Sequence, residues 1–378
     1  MEKVHISLVG RQAAPVYNGI VAVKPTKVVL VYSHESKDAA DAVLREQLPY
    51  QIEPIGRPLS PTDPVEIRRY AEAMAEKFKA DEVTVNISGG PKSWTYFFTV
   101  AFASHPNAAI VYMDQNSILW NYRTMSGTGD FLFDMDTLFR LYGNPLGNFV
   151  RHSEYSESDR MVLPRIVSAR KFAHIEFNKL AILDSGRENT LNSQPKGKFK
   201  TDNGSEICWE RPRGGREANV SIALTKSGHR KEYYLSSPHV IGLVFNSGWF
   251  EFTIAEMLSH WKKAKDIRMN CIFPFDKKIA KNEVDILVNI GSKMLFVECK
   301  TQVRQTTDID KFRTVVIRYG GTASKALFIT DEPMPELAKN KCKESGIISF
   351  SLKDNHMGME NEDALFFLLD SEMNNLNA

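Results

Sequence analysis

Short β-rich runs alternate with helical stretches over about the first 145 residues, and this alternation constrains the fold more than any other feature. VHISLV (4–9) leads into AAPVYNGIVAV, and TKVVLVYS (26–33) into KDAADAVLREQL. A weaker run near YQIEPIG precedes VEIRRYAEAMAEKFKA, DEVTVNIS (81–88) precedes PKSWTYFFTVAFAS, and AAIVYM (108–113) follows. Strands separated by helices predict a parallel, doubly wound α/β sheet. ILWNYRT and DFLFDM are expected to extend it or to form an edge hairpin.

In such a sheet, ligands sit beyond the carboxyl ends of the strands. Ser88-Gly89-Gly90-Pro91-Lys92 occupies one of those ends, between a strand and a helix. Glycines let the backbone approach a ligand, and free N–H groups at a helix start favour anions. Pro91 is expected in the first helical turn. Lys92 adds positive charge, and Ser93 follows it into the helix. The Walker A pattern is not met, which argues against a conventional nucleoside triphosphatase. Gly10-Arg11-Gln12, Ser33-His34-Glu35 and Asp114-Gln115-Asn116 leave the other strand ends and are candidates to read base edges and ribose hydroxyls. The ligand-binding candidates are therefore Gly10, Arg11, Gln12, Ser88, Gly89, Gly90, Lys92, Ser93 and Asp114.

A second signal lies in NEVDILVNIGSKMLFVECK, residues 282–300. Alternation puts Val284, Ile286, Val288 and Ile290 on one side, with Asp285, Leu287 and Asn289 on the other. Met294, Phe296, Glu298 and Lys300 share a side of the following strand. Gly291-Ser292 suits a two-residue hairpin turn, which pairs Ile290 with Lys293 and sets Asp285 opposite Glu298, whereas a three-residue turn would set the two carboxylates diagonally. Opposed carboxylates destabilise a strand pair unless something positive sits between them, either Lys300 or a divalent metal. Phosphodiester hydrolysis needs an activated water, charge neutralisation at phosphorus and help for the leaving oxygen. Carboxylates holding Mg²⁺ or Mn²⁺, with a lysine beside them, provide that set. Asp285, Glu298 and the backbone carbonyl of Cys299 are the candidate metal ligands. Asp285, Glu298 and Lys300 are the candidate catalytic residues, with Glu251 added from the helix beginning near Ser247-Gly248. Gln302 continues the Glu298–Lys300 face.

The formal net charge is only +2, so any nucleic-acid surface must be local. Four widely spaced cysteines without a CxxC pair argue against a zinc knuckle and suit a reducing compartment. No apolar run approaches the roughly 20 residues that span a bilayer, and MEKVHISLVGRQ lacks a cleavable signal pattern. A cytoplasmic protein without membrane contact is expected. Residues 193–219 are polar and rich in glycine and proline, with excess Lys and Arg, and read as a solvated or nucleic-acid-contacting loop.

Two family resemblances follow from these residues. Asp285, Glu298-Cys299-Lys300, an upstream helical glutamate and a following αβ unit resemble the PD-(D/E)XK restriction-endonuclease-like fold. GWFE…NEVD…VECKTQ is similar to the ancillary nucleases of type III CRISPR systems. Asn86-x-Ser88-Gly89-Gly90-x-Lys92 resembles the signature turn of CARF domains, Rossmann-like sensors of cyclic oligoadenylates; Pro91 stands where threonine is commoner.

Together these imply an N-terminal Rossmann-like CARF domain with a parallel sheet (1–145), a connector with helical pieces and a basic loop (146–235), and a C-terminal restriction-endonuclease-like α/β domain (236–378). The resemblance implies a homodimer that binds cyclic tetra-adenylate across its axis and then cuts RNA or DNA with Mn²⁺ or Mg²⁺. The competing expectation is a CARF-type transcription regulator, with LTKSGHRKEYYLS as a DNA-binding wing. A metal-free HEPN-type ribonuclease needs four to six residues between Arg and His; Arg170 and His174 have three between them, which sets that reading aside.

Overall fold

The computed structural model describes residues 1–114, 118–129, 131, 133–212, 217–273, 282–291, 293–320, 324–356 and 358–374. Gln115, Asn116, Ser292 and residues 213–216 of the basic stretch lie outside them.

The N-terminal alternation runs β1 (Lys3–Leu8), α1 (Ala14–Val23), β2 (Lys27–Val31), α2 (Lys37–Arg45), β3 (Gln51–Pro54), α3 (Pro64–Lys77), β4 (Glu82–Asn86), α4 (Lys92–Ala103) and β5 (Ala108–Met113). These strands are parallel, in the order β3-β2-β1-β4-β5. Val4, Ile6, Val83 and Val85 bury one face under α3 and α4, while Val28 and Leu30 bury the other with α1 and α2. Two covered faces explain the nearly continuous apolar runs. A short antiparallel hairpin, β6 (Leu119–Asn121) and β7 (Ser126–Thr128), extends the edge. Of the DFLFDM stretch, the described residues form no strand, and Phe133 is buried instead.

Next come α5 (Met135–Leu141), β8 (Val150–Arg151), α6 (Glu157–Phe172), α7 (His174–Ala181) and α8 (Ser185–Ser193). Then β9 (Lys196–Lys200), β10 (Glu206–Glu210), β11 (Ala218–Lys226) and β12 (His229–Ser237) form a four-stranded antiparallel sheet. The stretch 193–219, expected as a loop, therefore holds the strands β9 and β10. Each is short and offers the core little beyond Phe199, or Ile207 and Trp209, so charged residues between them mask the alternation.

The chain closes with α9 (Val240–Val244), α10 (Gly248–Ser259), β13 (Asp266–Phe273), β14 (Asn282–Asn289), β15 (Met294–Lys300), α11 (Thr307–Tyr319), β16 (Lys325–Thr330), α12 (Glu336–Glu344), β17 (Ile348–Ser351) and α13 (Asn361–Asn374). Their mixed sheet has the order β17-β16-β15-β14-β13-β8, so a strand from the expected connector completes it. One face packs on α10 and on the core of the four-stranded sheet. The other packs on Val111, Met135, Leu138 and Phe139 from the N-terminal region. Phe139 meets Phe273 and Phe296 edge-on, at ring-centroid distances of 5.2 and 6.2 Å. Arg268 on β13, fully buried, binds Asp136 at the start of α5 and also Asp266 at 3.1 Å. The two sheets therefore share a core.

Candidate functional site

The hairpin register matches the sequence expectation. Ile290 N–H donates to Lys293 O at 3.0 Å, Gly291 takes φ +103°, and the ladder continues through Ile286 opposite Val297. One more step in the same register sets Asp285 across from Glu298. There the strands part. β14 goes on pairing with β13, whereas Glu298 and Lys300 pair with Phe328 and Thr330 of β16.

The parting has a local cause. Asn270 on β13 takes φ +52°, and the β13–β14 pairing skips Asn270 and Asp285. Ile286 and Val288 face the α10 side of the sheet, but Val284 has turned to the opposite core. Its expected place beside Ile286 is thus corrected: alternation fails where a left-handed residue in the neighbouring strand interrupts the ladder. In an unbroken ladder the Cys299 N–H would meet the Val284 carbonyl. It donates instead to Asp285 Oδ2, at 2.7 Å.

Lys300 Nζ lies 2.5 Å from Glu298 Oε1, with their side chains 33% and 15% exposed. This pair is too covered to be surface decoration. Glu251, on the first turns of α10, joins from above. Burial, then the neighbouring Asp285, pushes Glu298 up to about 7, with Lys300 opposing. Burial raises Glu251 well above the carboxylate range, again helped by Asp285. Burial also raises Asp285, against the pull of Lys300 and the Cys299 N–H. Burial alone would lower Lys300, but Asp285 and Glu298 together hold it above its ordinary value. Three carboxyl groups share one ammonium, and the cluster is short of positive charge.

Among the described residues, no three His, Cys, Asp or Glu side chains converge to hold a metal ion as they stand. Asp285 is engaged by the Cys299 N–H and Glu298 by Lys300. The donor chemistry nevertheless suits a hard divalent cation, which takes oxygen ligands and would offset the mutual repulsion.

The glycine turn belongs to the N-terminal sheet. Strand order reverses between β1 and β4, so the loops after these strands flank a topological switch point. A Cβ on Gly89 would sit 2.5 Å from Leu8 O and 2.9 Å from Gly10 N, so the two loops close only without side chains. Gly90 takes φ +76°. Asn86 Oδ1 accepts from the Ser88 N–H (3.0 Å) and hydroxyl (2.6 Å), and Ser88 Oγ accepts from Met113 N at 2.7 Å. These side chains build the turn.

Ser93 Oγ donates to Pro61 O (2.7 Å), and Asp114 accepts from Ile118 N (2.9 Å) and Trp120 Nε1 (3.1 Å). The hydroxyls of Ser88 and Ser93 and the carboxylate of Asp114 thus have structural partners. Arg11, Gln12 and Lys92 are exposed beside the glycines. Pro91 stands one place earlier than expected, with φ −67° and ψ 152°, as the residue capping α4. Its extended ψ keeps it outside the helix proper.

Sequence reasoning missed the cleft beside the fork. A cavity of about 600 Å³ runs from Glu251 and Glu283 to a wall formed by Tyr155, Arg211 and His239. Tyr155 and the fork are more than a hundred residues apart in the chain, and no local pattern links them.

No family model matches the sequence, and no curated protein matches it. Solved structures do, along nearly the whole chain. Can2 from Sulfobacillus thermosulfidooxidans, solved with cyclic tetra-adenylate, superposes with a TM-score of 0.64 at 16% identity, covering 98% of this chain and 99% of that one. Protein VC1899 from Vibrio cholerae gives 0.66 at 14% identity, covering 98% and 97%. A type III CRISPR defence DNA nuclease activated by cyclic oligoadenylate gives 0.56 at 15% identity, covering 94% of this chain and 49% of that larger one. The chain has their fold: a Rossmann-like parallel sheet followed by a C-terminal α/β unit.

Proposed function

We propose that this chain is a nuclease of type III CRISPR defence, in which cyclic tetra-adenylate binding at the switch-point loops licenses hydrolysis of RNA or DNA at the β14–β15 fork. The observation that carries the reading is the convergence of Asp285, Glu298 and Lys300 at the point where the strands part, with Glu251 above them. The likeness of the whole chain to Can2 in its complex with cyclic tetra-adenylate supports the activator half.

Mn²⁺ or Mg²⁺ would be held by Asp285, Glu298 and the Cys299 carbonyl, supplying neutralisation at phosphorus and a more acidic bound water. The Cys299 N–H fixes the Asp285 carboxylate in orientation. Lys300 steadies Glu298 in the ground state, and its ammonium screens charge that develops on the phosphoryl oxygens. Glu251, on the first turns of α10, would assist by orienting the attacking water. At the other site, Gly10, Gly89 and Gly90 bring backbone to the ligand, and Arg11 and Lys92 meet its phosphates.

A homodimer completes the reading. Tyr96 and Val100, 63% and 56% exposed, continue from Lys92 at four-residue spacing along α4. A two-fold pairing there would let equivalent loops grip equivalent halves of a cyclic ligand. Residues 1–145 would sense and 236–378 would cut, in the cytoplasm; no described helix is long and apolar enough to cross a membrane.

Labelled RNA and plasmid DNA incubated with Mn²⁺, with and without cyclic tetra-adenylate, provide the test. Cleavage dependent on both is expected. Retardation on a gel with unaltered substrate in every condition would replace the nuclease by a DNA-binding regulator, for which the exposed tip of the β11–β12 hairpin with Lys226, Arg230 and Lys231 is the available wing.

A further inference from the structure

His239 follows β12 and opens α9, on the wall of the cleft that ends at Glu251. Its partner lies 80 residues away. Asp159, in the first turn of α6, is fully buried and gathers four donors at one carboxylate. They are His239 N (2.9 Å), His239 Nδ1 (3.0 Å), Ser156 N (2.8 Å) and Ser156 Oγ (2.9 Å). Burial alone would raise its pKa, but these bonds outweigh burial and bring it to about 2.

The backbone bond from His239 ties α9 to α6 independently of the ring. With Nδ1–H on Asp159, the ring turns Nε2 away from the carboxylate. The side chain keeps 29% exposure, on the cleft. Tyr155 packs on the imidazole at a centroid distance of 4.4 Å and stacks on Phe252 of α10 at 4.5 Å. The ring is thereby fixed in rotation and referenced to the helix that carries Glu251.

We propose that His239 contacts a backbone phosphate of the nucleic-acid strand lying in this cleft beside the scissile bond, with Asp159 as its positioning residue. When the ring carries both protons, Nδ1–H keeps Asp159 as its acceptor and Nε2–H is left to donate to a phosphate oxygen in a charge-assisted bond. The inference rests on the nuclease reading and adds to it a residue outside the metal fork.

The test uses full-length Glu298→Ala protein with cyclic tetra-adenylate and Ca²⁺. The probes are fluorescein-labelled RNA and DNA oligonucleotides of one sequence, about 12 nucleotides long to span a single-strand site, followed by anisotropy. His239→Ala should weaken binding about tenfold and lower the slope of log affinity against log salt by about 0.7, the value for one lost phosphate contact on a single strand. His239→Gln keeps a donor for Asp159 but lacks the charge, and should fall nearly as far; it also serves if the alanine variant does not fold. Asp159→Asn should weaken binding in the parent and add little in the His239→Ala background. In the Glu298-intact enzyme, His239→Gln should raise KM with kcat nearly unchanged.

Unaltered affinity and salt slope in both His239 variants would overturn the proposal. So would an Asp159→Asn loss that persists undiminished without His239, which would mark a purely structural pair. The nuclease reading fails on a different result, namely wild-type protein that leaves RNA and plasmid DNA uncut with Mn²⁺ and cyclic tetra-adenylate.

Discussion

Replacing Glu298 by glutamine tests the charge imbalance at the fork without deleting a side chain. The Glu298 carboxyl titrates at about 7 in the folded chain against an ordinary 4.5. The folded state therefore holds this proton more tightly than the unfolded one. Between those pH values unfolding releases protons, so stability falls as pH rises; the penalty is absent below 4.5 and complete above 7. At about 1.36 kcal/mol per pH unit the full change is about 3 kcal/mol. Asp285 and Glu251 titrate together with Glu298, so roughly 1–3 kcal/mol is the portion that its substitution removes.

For a chain of 378 residues that corresponds to a melting shift of roughly 1–4 °C. The assay is thermal unfolding in EDTA from about pH 5 to 8.5, a window that brackets the titration, with wild type and Glu298→Gln side by side. Wild type should lose stability with rising pH more steeply than the variant. His5, buried and pushed down to about 3, acts in the opposite sense in both proteins and cancels in the difference. Added Mn²⁺ should restore wild type at about pH 8 and do much less for Glu298→Gln. Parallel pH profiles, or equal stabilisation of both proteins by Mn²⁺, would refute the reasoning.

Glu298→Ala and Lys300→Ala should each lower cleavage by at least about a thousandfold and leave cyclic tetra-adenylate affinity intact, read by gel assay and calorimetry. Lys92→Ala should weaken activator binding by about tenfold, the scale of one charged hydrogen bond, with the Mn²⁺-induced melting shift preserved. Gly89→Ala should abolish activator binding, because its Cβ would overlap Leu8 O and Gly10 N; normal affinity would show that the loops do not close on each other. Arg268→Ala should cost about 3–5 kcal/mol in a denaturant melt, since it strips the buried partner of Asp136 and Asp266.

The sequence was most legible where local pattern and global fold agree. The runs ending at Leu8, Val31 and Asn86 were readable as strands because both faces of a parallel sheet are buried. The turn Gly291 forms fixed the register that opposes Asp285 and Glu298, since a Gly-X hairpin admits few alternatives. What stayed hidden depends on neighbours distant in the chain. The reversal of Val284 originates in Asn270, on another strand, and a period of two cannot register it. β9 and β10 were concealed because KGKFK and EICWE each bury so little that lysines and glutamates dominate the reading. The union of Asp159 with His239 has no sequence signature at all, because it joins one helix to the start of another across 80 residues.

Phe273 and Phe296 pack edge-on against Phe139 of the N-terminal region. A proteolytic clip between the halves would consequently bare aromatic surface on both. The liberated C-terminal fragment would be prone to stick and aggregate.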